Sequence, residues 1–127
     1  MRLQFLWSEI SGAFSPGCSS DVVKVDGVSP LACLLMDDGG QELLGTISWL
    51  KEGVKRIGLV KDSTVGLADW SRDAWGAELT KDQVKIYSLY DESYFELISL
   101  FSFEAAMLAW INFIEMGPMV GGREVEV

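Results

Sequence analysis

The sequence predicts an α+β domain: a mostly antiparallel sheet of about five to seven strands, a short middle helix, and a C-terminal amphipathic helix packed on one face. Three observations predict it. Val84, Ile86, Ser88 and Tyr90 alternate with Lys85, Tyr87, Leu89 and Asp91, and Tyr94, Glu96, Ile98 and Leu100 alternate with Phe95, Leu97 and Ser99. That period of two, in β-branched and aromatic residues, marks a pair of strands. Phe103, Met107, Trp110 and Ile114 then recur at the spacing that lines one helix face, broadened by Ala106 and Phe113. Asp91-Glu92-Ser93 separates the two strands with turn-forming residues.

Leu3 to Ile10, rich in Phe and Trp, reads as the first strand. Ser11 to Ser20 holds Gly12, Pro16, Gly17 and several serines and reads as a loop. Val22, Val23 and Val25 predict a second strand, ended by Asp26-Gly27. Leu31 to Met36 is almost wholly apolar after Pro30, which fits a central strand, with a buried helix turn as the alternative. Asp37-Asp38-Gly39-Gly40 predicts a hairpin loop returning the chain into Glu42 to Ile47 as a fourth strand.

Trp49, Leu50, Val54 and Ile57, with charges between them, predict a short amphipathic helix over Ser48 to Ile57. Gly53 costs it about 1 kcal/mol relative to Ala, and Gly58 is its expected stop. Ala68 to Gly76 is loop-like, Ala77 to Leu79 a short strand and Thr80 to Gln83 a turn. Ser102 is the expected N-cap of the last helix, with Glu104 in its first turn, where the helix dipole favours an acid. The helix is expected to run to Met116 and stop at Gly117-Pro118, leaving residues 117–127 as a frayed tail.

The chain of 127 residues is expected to form one domain, 1–127. An apolar fraction of 49% and a mean hydropathy of +0.22 exclude a disordered chain. The longest apolar run, Ala105 to Ile111, is far short of the roughly 18 residues a spanning helix needs. Glu9 interrupts the apolar run after Arg2, so no signal peptide is expected. Two cysteines are too few for a disulfide scaffold, and reduced thiols in the cytoplasm are expected. Cys33 reads as a buried small hydrophobe and Cys18 as a loop residue.

The absence of histidine removes Ser-His and Cys-His nucleophile pairs and most zinc sites. No Gly-rich stretch has the Lys and spacing of a phosphate loop. Asp37-Asp38 lacks the spacing of a calcium loop. No cofactor, no metal and no enzymatic activity are expected.

A net charge of −9 and a pI near 4.3 argue against direct nucleic-acid binding, since phosphate contacts need Lys and Arg. They suit either a basic protein partner or plain solubility. Lys51, Lys55, Arg56 and Lys61 against Glu52 form one basic patch, net +3. Asp62 to Glu104 carries net −6. Within it Asp69, Trp70, Asp73, Trp75 and Glu78 lie close together without a clear apolar period. Trp is enriched at interface hot spots and acids steer encounter. The alternative is that Trp70 and Trp75 fold back onto the core. Asp91, Glu92 and Tyr94 at the hairpin tip are a second candidate, or else a solvated turn. Asp21, Asp26, Asp37, Asp38 and Glu42 form a third acidic set.

The run Asp69-Trp70-Ser71-Arg72-Asp73-Ala74-Trp75-Gly76-Ala77-Glu78-Leu79, the strands Val84 to Tyr90 and Tyr94 to Glu96, and the final helix with Trp110-Ile111-Asn112-Phe113 resemble small acidic immunity proteins of bacterial contact-dependent growth inhibition and polymorphic toxin systems. The resemblance covers Gly66 to Met116. It implies a cytoplasmic protein that binds a cognate toxin domain, often a nuclease, and blocks it. Toxin-contacting positions vary between members, so no single residue's role carries over. A basic nuclease cleft and an acidic inhibitor are complementary. The alternatives are an acidic adaptor without a toxin, and a small enzyme that uses carboxylates.

Overall fold

A computed structural model describes residues 1–127 and shows an α+β fold of three helices and two antiparallel sheets. The expected single sheet is thus two. The first has strand order β2-β1-β7 and the second β3-β4-β5-β6.

β1 (Arg2–Ile10) is the expected first strand and buries Leu3 and Phe5 on one face. The loop expected after it is β2 (Ala13–Ser20), paired antiparallel with β1. Ser11 and Gly12, at φ 53° and 82°, make the two-residue turn of a tight hairpin. Pro16 is tolerated because β2 is an edge strand. The tail expected to fray also forms a strand: β7 (Gly122–Glu126) pairs with the other side of β1, placing Val125 opposite Leu3.

No strand forms at the valines. Val22 and Val23 are exposed and Val25 is fully so, because the chain there turns through Gly27 at φ 82°. The apolar run beyond is α1 (Pro30–Met36), not a strand. Ser29 is its N-cap, accepting from the Ala32 N–H at 3.1 Å, and Pro30 occupies the first turn. α1 is apolar almost all round because it is buried almost all round.

α2 (Leu43–Lys61) replaces the expected fourth strand and short helix with one element. Glu42 is its N-cap residue, and Gly58 lies inside it instead of ending it. Its buried face is Thr46, Leu50, Gly53, Ile57 and Val60, a helical period.

The second sheet begins inside the expected loop, with β3 (Ala68–Ser71) and β4 (Trp75–Leu79), and continues through β5 (Gln83–Ser88) and β6 (Asp91–Ser99). The β5–β6 turn falls at Leu89-Tyr90, so Asp91 to Ser93 belong to the strand. α3 (Leu100–Glu115) is capped by Ser99, three residues before the expected cap, and the Ser102 N–H donates to the Ser99 hydroxyl at 3.0 Å. Glu104 therefore sits beyond the first turn. Phe103, Ala106, Met107, Trp110, Phe113 and Ile114 are all buried, as the period predicts. Trp110 packs edge-on to Phe5 at 5.2 Å, so α3 joins the two sheets in one continuous core. No helix is long and apolar enough to cross a membrane.

On the basic patch of α2, Lys51, Lys55 and Lys61 are exposed, and all of its cations but Lys55 pair within the chain. Lys51 pairs with Glu115 at 3.0 Å and Lys61 with Glu104 at 2.8 Å. Arg56 donates to the Asp69 carbonyl at 2.7 Å, and the Trp49 indole to the Ser71 carbonyl at 2.6 Å. Arg56 and Trp49 thereby cover two carbonyls on the open edge of β3, which would otherwise invite another strand.

Candidate partner-binding site

The four-stranded sheet has two unlike faces. Trp70, Ala77 and Ile86 lie opposite one another in register and are buried beneath the helices. The alternate residues face solvent. There Asp69 stands opposite Glu78, Glu78 opposite Lys85, and Tyr87 opposite Phe95. Phe95 and Leu97 keep 36% and 50% of their area exposed, so this face is partly apolar as well as charged. Lys85 Nζ lies 5.6 Å from the Tyr87 ring centre and 5.0 Å from that of Phe95. Burial raises the Tyr87 phenol above its ordinary pKa, and the charges of Asp69, Glu78 and Glu92 raise it further.

One end of this sheet gathers the acids. Asp37 ends α1 and reaches the β3–β4 turn, where its Oδ2 accepts from the Ala74 and Trp75 N–H groups at 2.7 and 3.1 Å. Asp73, in that turn, lies against Gly39. From the preceding loop, Asp26 Oδ2 accepts the Tyr94 hydroxyl at 2.7 Å. That bond holds the Asp26 carboxyl below its usual range and pushes the Tyr94 phenol up to about 12. Asp91 and Glu92 open β6 beside them. Asp26, Val28, Trp75, Ser88, Asp91 and Tyr94 line a solvent-open pocket of about 360 Å³. Segments that lie 65 residues apart in the chain, Asp26 and Asp91, thus share one wall.

The cations at this end are committed to the backbone. Arg72 donates to the Leu34 and Leu35 carbonyls at 3.2 Å each, satisfying the end of α1, and burial lowers its pKa. Lys24 donates to the Phe95 carbonyl at 3.0 Å and lies 5.1 Å from the Tyr94 ring centre.

The sequence-predicted residues therefore divide. Trp75, Asp91 and Tyr94 meet in the pocket, with Asp73 and Glu92 beside it. Asp69 and Glu78 lie on the adjoining open face. Trp70 is corrected outright. At 1% exposure it is core, its ring stacked at 6.2 Å on Trp49 and its indole N–H donating to the Trp49 carbonyl. It faces inward because β3 is a strand and places Trp70 and Asp69 on opposite faces. Asp26 and Asp37 belong to the site although they are distant in sequence. Tyr87, Phe95 and Leu97 belong to it too, and the strand alternation that exposes them was their signal. No group of three or more His, Cys, Asp or Glu side chains is arranged to hold a metal ion.

Comparisons with protein-family models, curated proteins and solved structures find no match to this chain.

Proposed function

We propose that this chain is an immunity protein that works in the cytoplasm by binding, without catalysis. Its partner is the basic C-terminal domain of a cognate toxin, a nuclease being the type that best fits an acidic inhibitor. One observation carries the reading. Acids from four stretches of sequence, at Asp26, at Asp37-Asp38, at Asp73 and at Asp91-Glu92, converge at one end of a sheet beside the half-buried Trp75 and Tyr94 and the exposed Tyr90. Opposite charge speeds capture by 10- to 1,000-fold at the upper range seen for steered pairs, and aromatic anchors slow release.

Sequencing the neighbouring gene, and co-expressing this chain with a toxin C-terminal domain if one is encoded there, tests it. The expected result is restored growth and a co-eluting complex on size exclusion. No rescue and no complex would remove the toxin partner and leave an acidic adaptor.

A further inference from the structure

We propose that the pocket lined by Asp26, Val28, Trp75, Ser88, Asp91 and Tyr94 binds the guanidinium of an arginine side chain presented by a protein partner. The inference rests on the reading above for the partner and on the pocket's own geometry for the ligand.

The walls define the chemistry. Trp75 and Tyr94 meet edge to face, 6.0 Å between ring centres and 62° between planes, and give the pocket an aromatic side. Val28 adds an apolar wall, and Asp26 and Asp91 are the charged ones. Asp26 is fixed by two contacts, Oδ1 accepting from the Val28 N–H at 3.0 Å and Oδ2 from the Tyr94 hydroxyl. Asp91 Oδ1 accepts from both the N–H and the hydroxyl of Ser93, which leaves Oδ2 without a protein donor. A carboxylate oxygen has room for more than one donor, so both acids retain acceptor capacity. Both carboxyls are charged at neutral pH, and hydrogen bonding holds each below its usual pKa.

Two carboxylates exclude an anion. Aromatic and apolar walls do not suit a hydrated metal ion, which wants oxygen on most sides. A flat, weakly hydrated cation with a fork of donors fits both the rings and the acids, and guanidinium is that cation among side chains. The volume, about 360 Å³, lies at the small end of ligand pockets, and the pocket is open, as suits a side chain projecting from another protein. The Tyr94 ring already has the Lys24 ammonium 5.1 Å from its centre, yet Lys24 is not a wall of the pocket. Its charge opposes a second cation, which supplies a control.

The full chain is titrated with N-acetyl-arginine methylamide while the Trp75 indole N–H and the backbone amides are followed by NMR. Saturable shifts confined to Trp75, residues 26–28 and residues 88–94 are expected, with a dissociation constant in the millimolar range as an order of magnitude for one exposed side chain. The neutral citrulline analogue should bind on the order of 10-fold more weakly, because it loses the charge-assisted contacts. Asp26→Asn with Asp91→Asn should abolish the response, and Lys24→Gln should strengthen it. Should the double variant fail to fold, the citrulline comparison and Lys24→Gln still decide. Equal binding of arginine and citrulline, shifts spread over all surface acids, a lysine analogue binding as tightly as arginine, or weaker binding in Lys24→Gln would each overturn the proposal. Growth rescue reads the toxin partner and the titration reads the pocket, so either can fail while the other stands.

Discussion

Gly53, midway along α2, lies directly against the indole of Trp70. A β-carbon built at Gly53 would come within 2.8 Å of Trp70 Cε2 and 2.8 Å of Met107 Cε. The glycine is thus the notch that lets α2 settle onto β3 and α3. In an exposed helix Gly53→Ala would gain about 1 kcal/mol. Here it should lose about 1–3 kcal/mol net, since the Met107 methyl can swing away but the Trp70 ring is held by the Trp49 carbonyl. Urea denaturation checks it, with the midpoint expected to fall at unchanged slope. A midpoint at or above the parent's would mean the contact is loose.

What the sequence made legible follows from how each signal is carried. α3 shows in the sequence because its period runs unbroken over 16 residues. β5 and β6 show because of their alternation, although the turn residues Asp91 to Ser93 mislead by lying inside β6, and β4 shows only in its second half, Ala77 to Leu79. α1 is hidden because a seven-residue helix buried on most sides has no polar face to set its period; the Ser29-Pro30 pair was the local signal, outweighed by the apolar run. β2 is hidden because Pro16 and Gly17 read as loop, and only its place at a sheet edge makes them acceptable. Glu42 to Ile47 reads as a strand only if Asp37 to Gly40 makes a hairpin, whereas those residues bend the chain from one helix into the next. The site follows the same logic. Local sequence marked Trp75, Asp91 and Tyr94 one by one. That Asp26 meets Tyr94, or that Asp37 caps the turn at Trp75, depends on pairings between distant segments that no local pattern encodes.

Asp37 ties α1 to the β3–β4 turn through two backbone N–H groups. Replacing it by Ala leaves both donors without that acceptor, and a loss of about 1–3 kcal/mol is expected. Asp37→Asn keeps one acceptor oxygen and should lose less. Amide hydrogen exchange at Ala74 and Trp75 gives the direct readout. Faster exchange there, with α3 unchanged, is expected; unchanged exchange would mean the carboxylate does not hold the turn.

Deleting β7 after Gly121 should destabilise the whole fold, contrary to what a frayed tail would do. Val125 pairs with Leu3, Arg123 with Phe5, and the Val127 N–H donates to the Met1 carbonyl at 2.9 Å. Leu3 and Phe5 are both fully buried and would lose cover on one side. A fall in melting temperature on the order of 10 °C is expected for a loss of a few kcal/mol in a domain of this size. A truncated chain that melts with the full one would show that β1 and β2 suffice.

Glu96 is the acid on the buried face of the second sheet. Burial raises its pKa above the ordinary 4.5, while the Leu31 N–H, donating at 3.2 Å, and the Lys24 charge pull the other way. A carboxyl whose folded pKa exceeds its unfolded one binds more protons folded than unfolded within that window. Its contribution is therefore most favourable below 4.5 and declines as pH rises through the folded pKa. Glu96→Gln keeps an acceptor for Leu31 and removes the charge. The variant should match or exceed the parent at pH 7, and the difference should shrink on going to pH 4. Stability curves of both proteins against pH provide the check. A gap that widens in acid would mean the charged form is the favoured one in the fold.

Charge reversal at the acidic end tests steering. Asp73 and Asp91 are exposed and lie on either side of Trp75, one in the β3–β4 turn and one lining the pocket. Asp73→Lys with Asp91→Lys changes the local charge by four units without touching the core. The association rate with a basic partner should fall by about 10-fold or more at low ionic strength, where the Debye length is tens of ångströms. At molar salt, with a Debye length of about 3 Å, parent and variant should associate at similar rates. Asp69→Lys with Glu78→Lys, on the open face, is the matched comparison, because it carries the same charge change to residues that pair across β3 and β4. If the partner approaches the sheet's end, the first pair slows association more than the second. Equal slowing would mean that net charge alone steers, and a larger effect from Asp69 and Glu78 would move the docking surface to the Tyr87–Phe95 face.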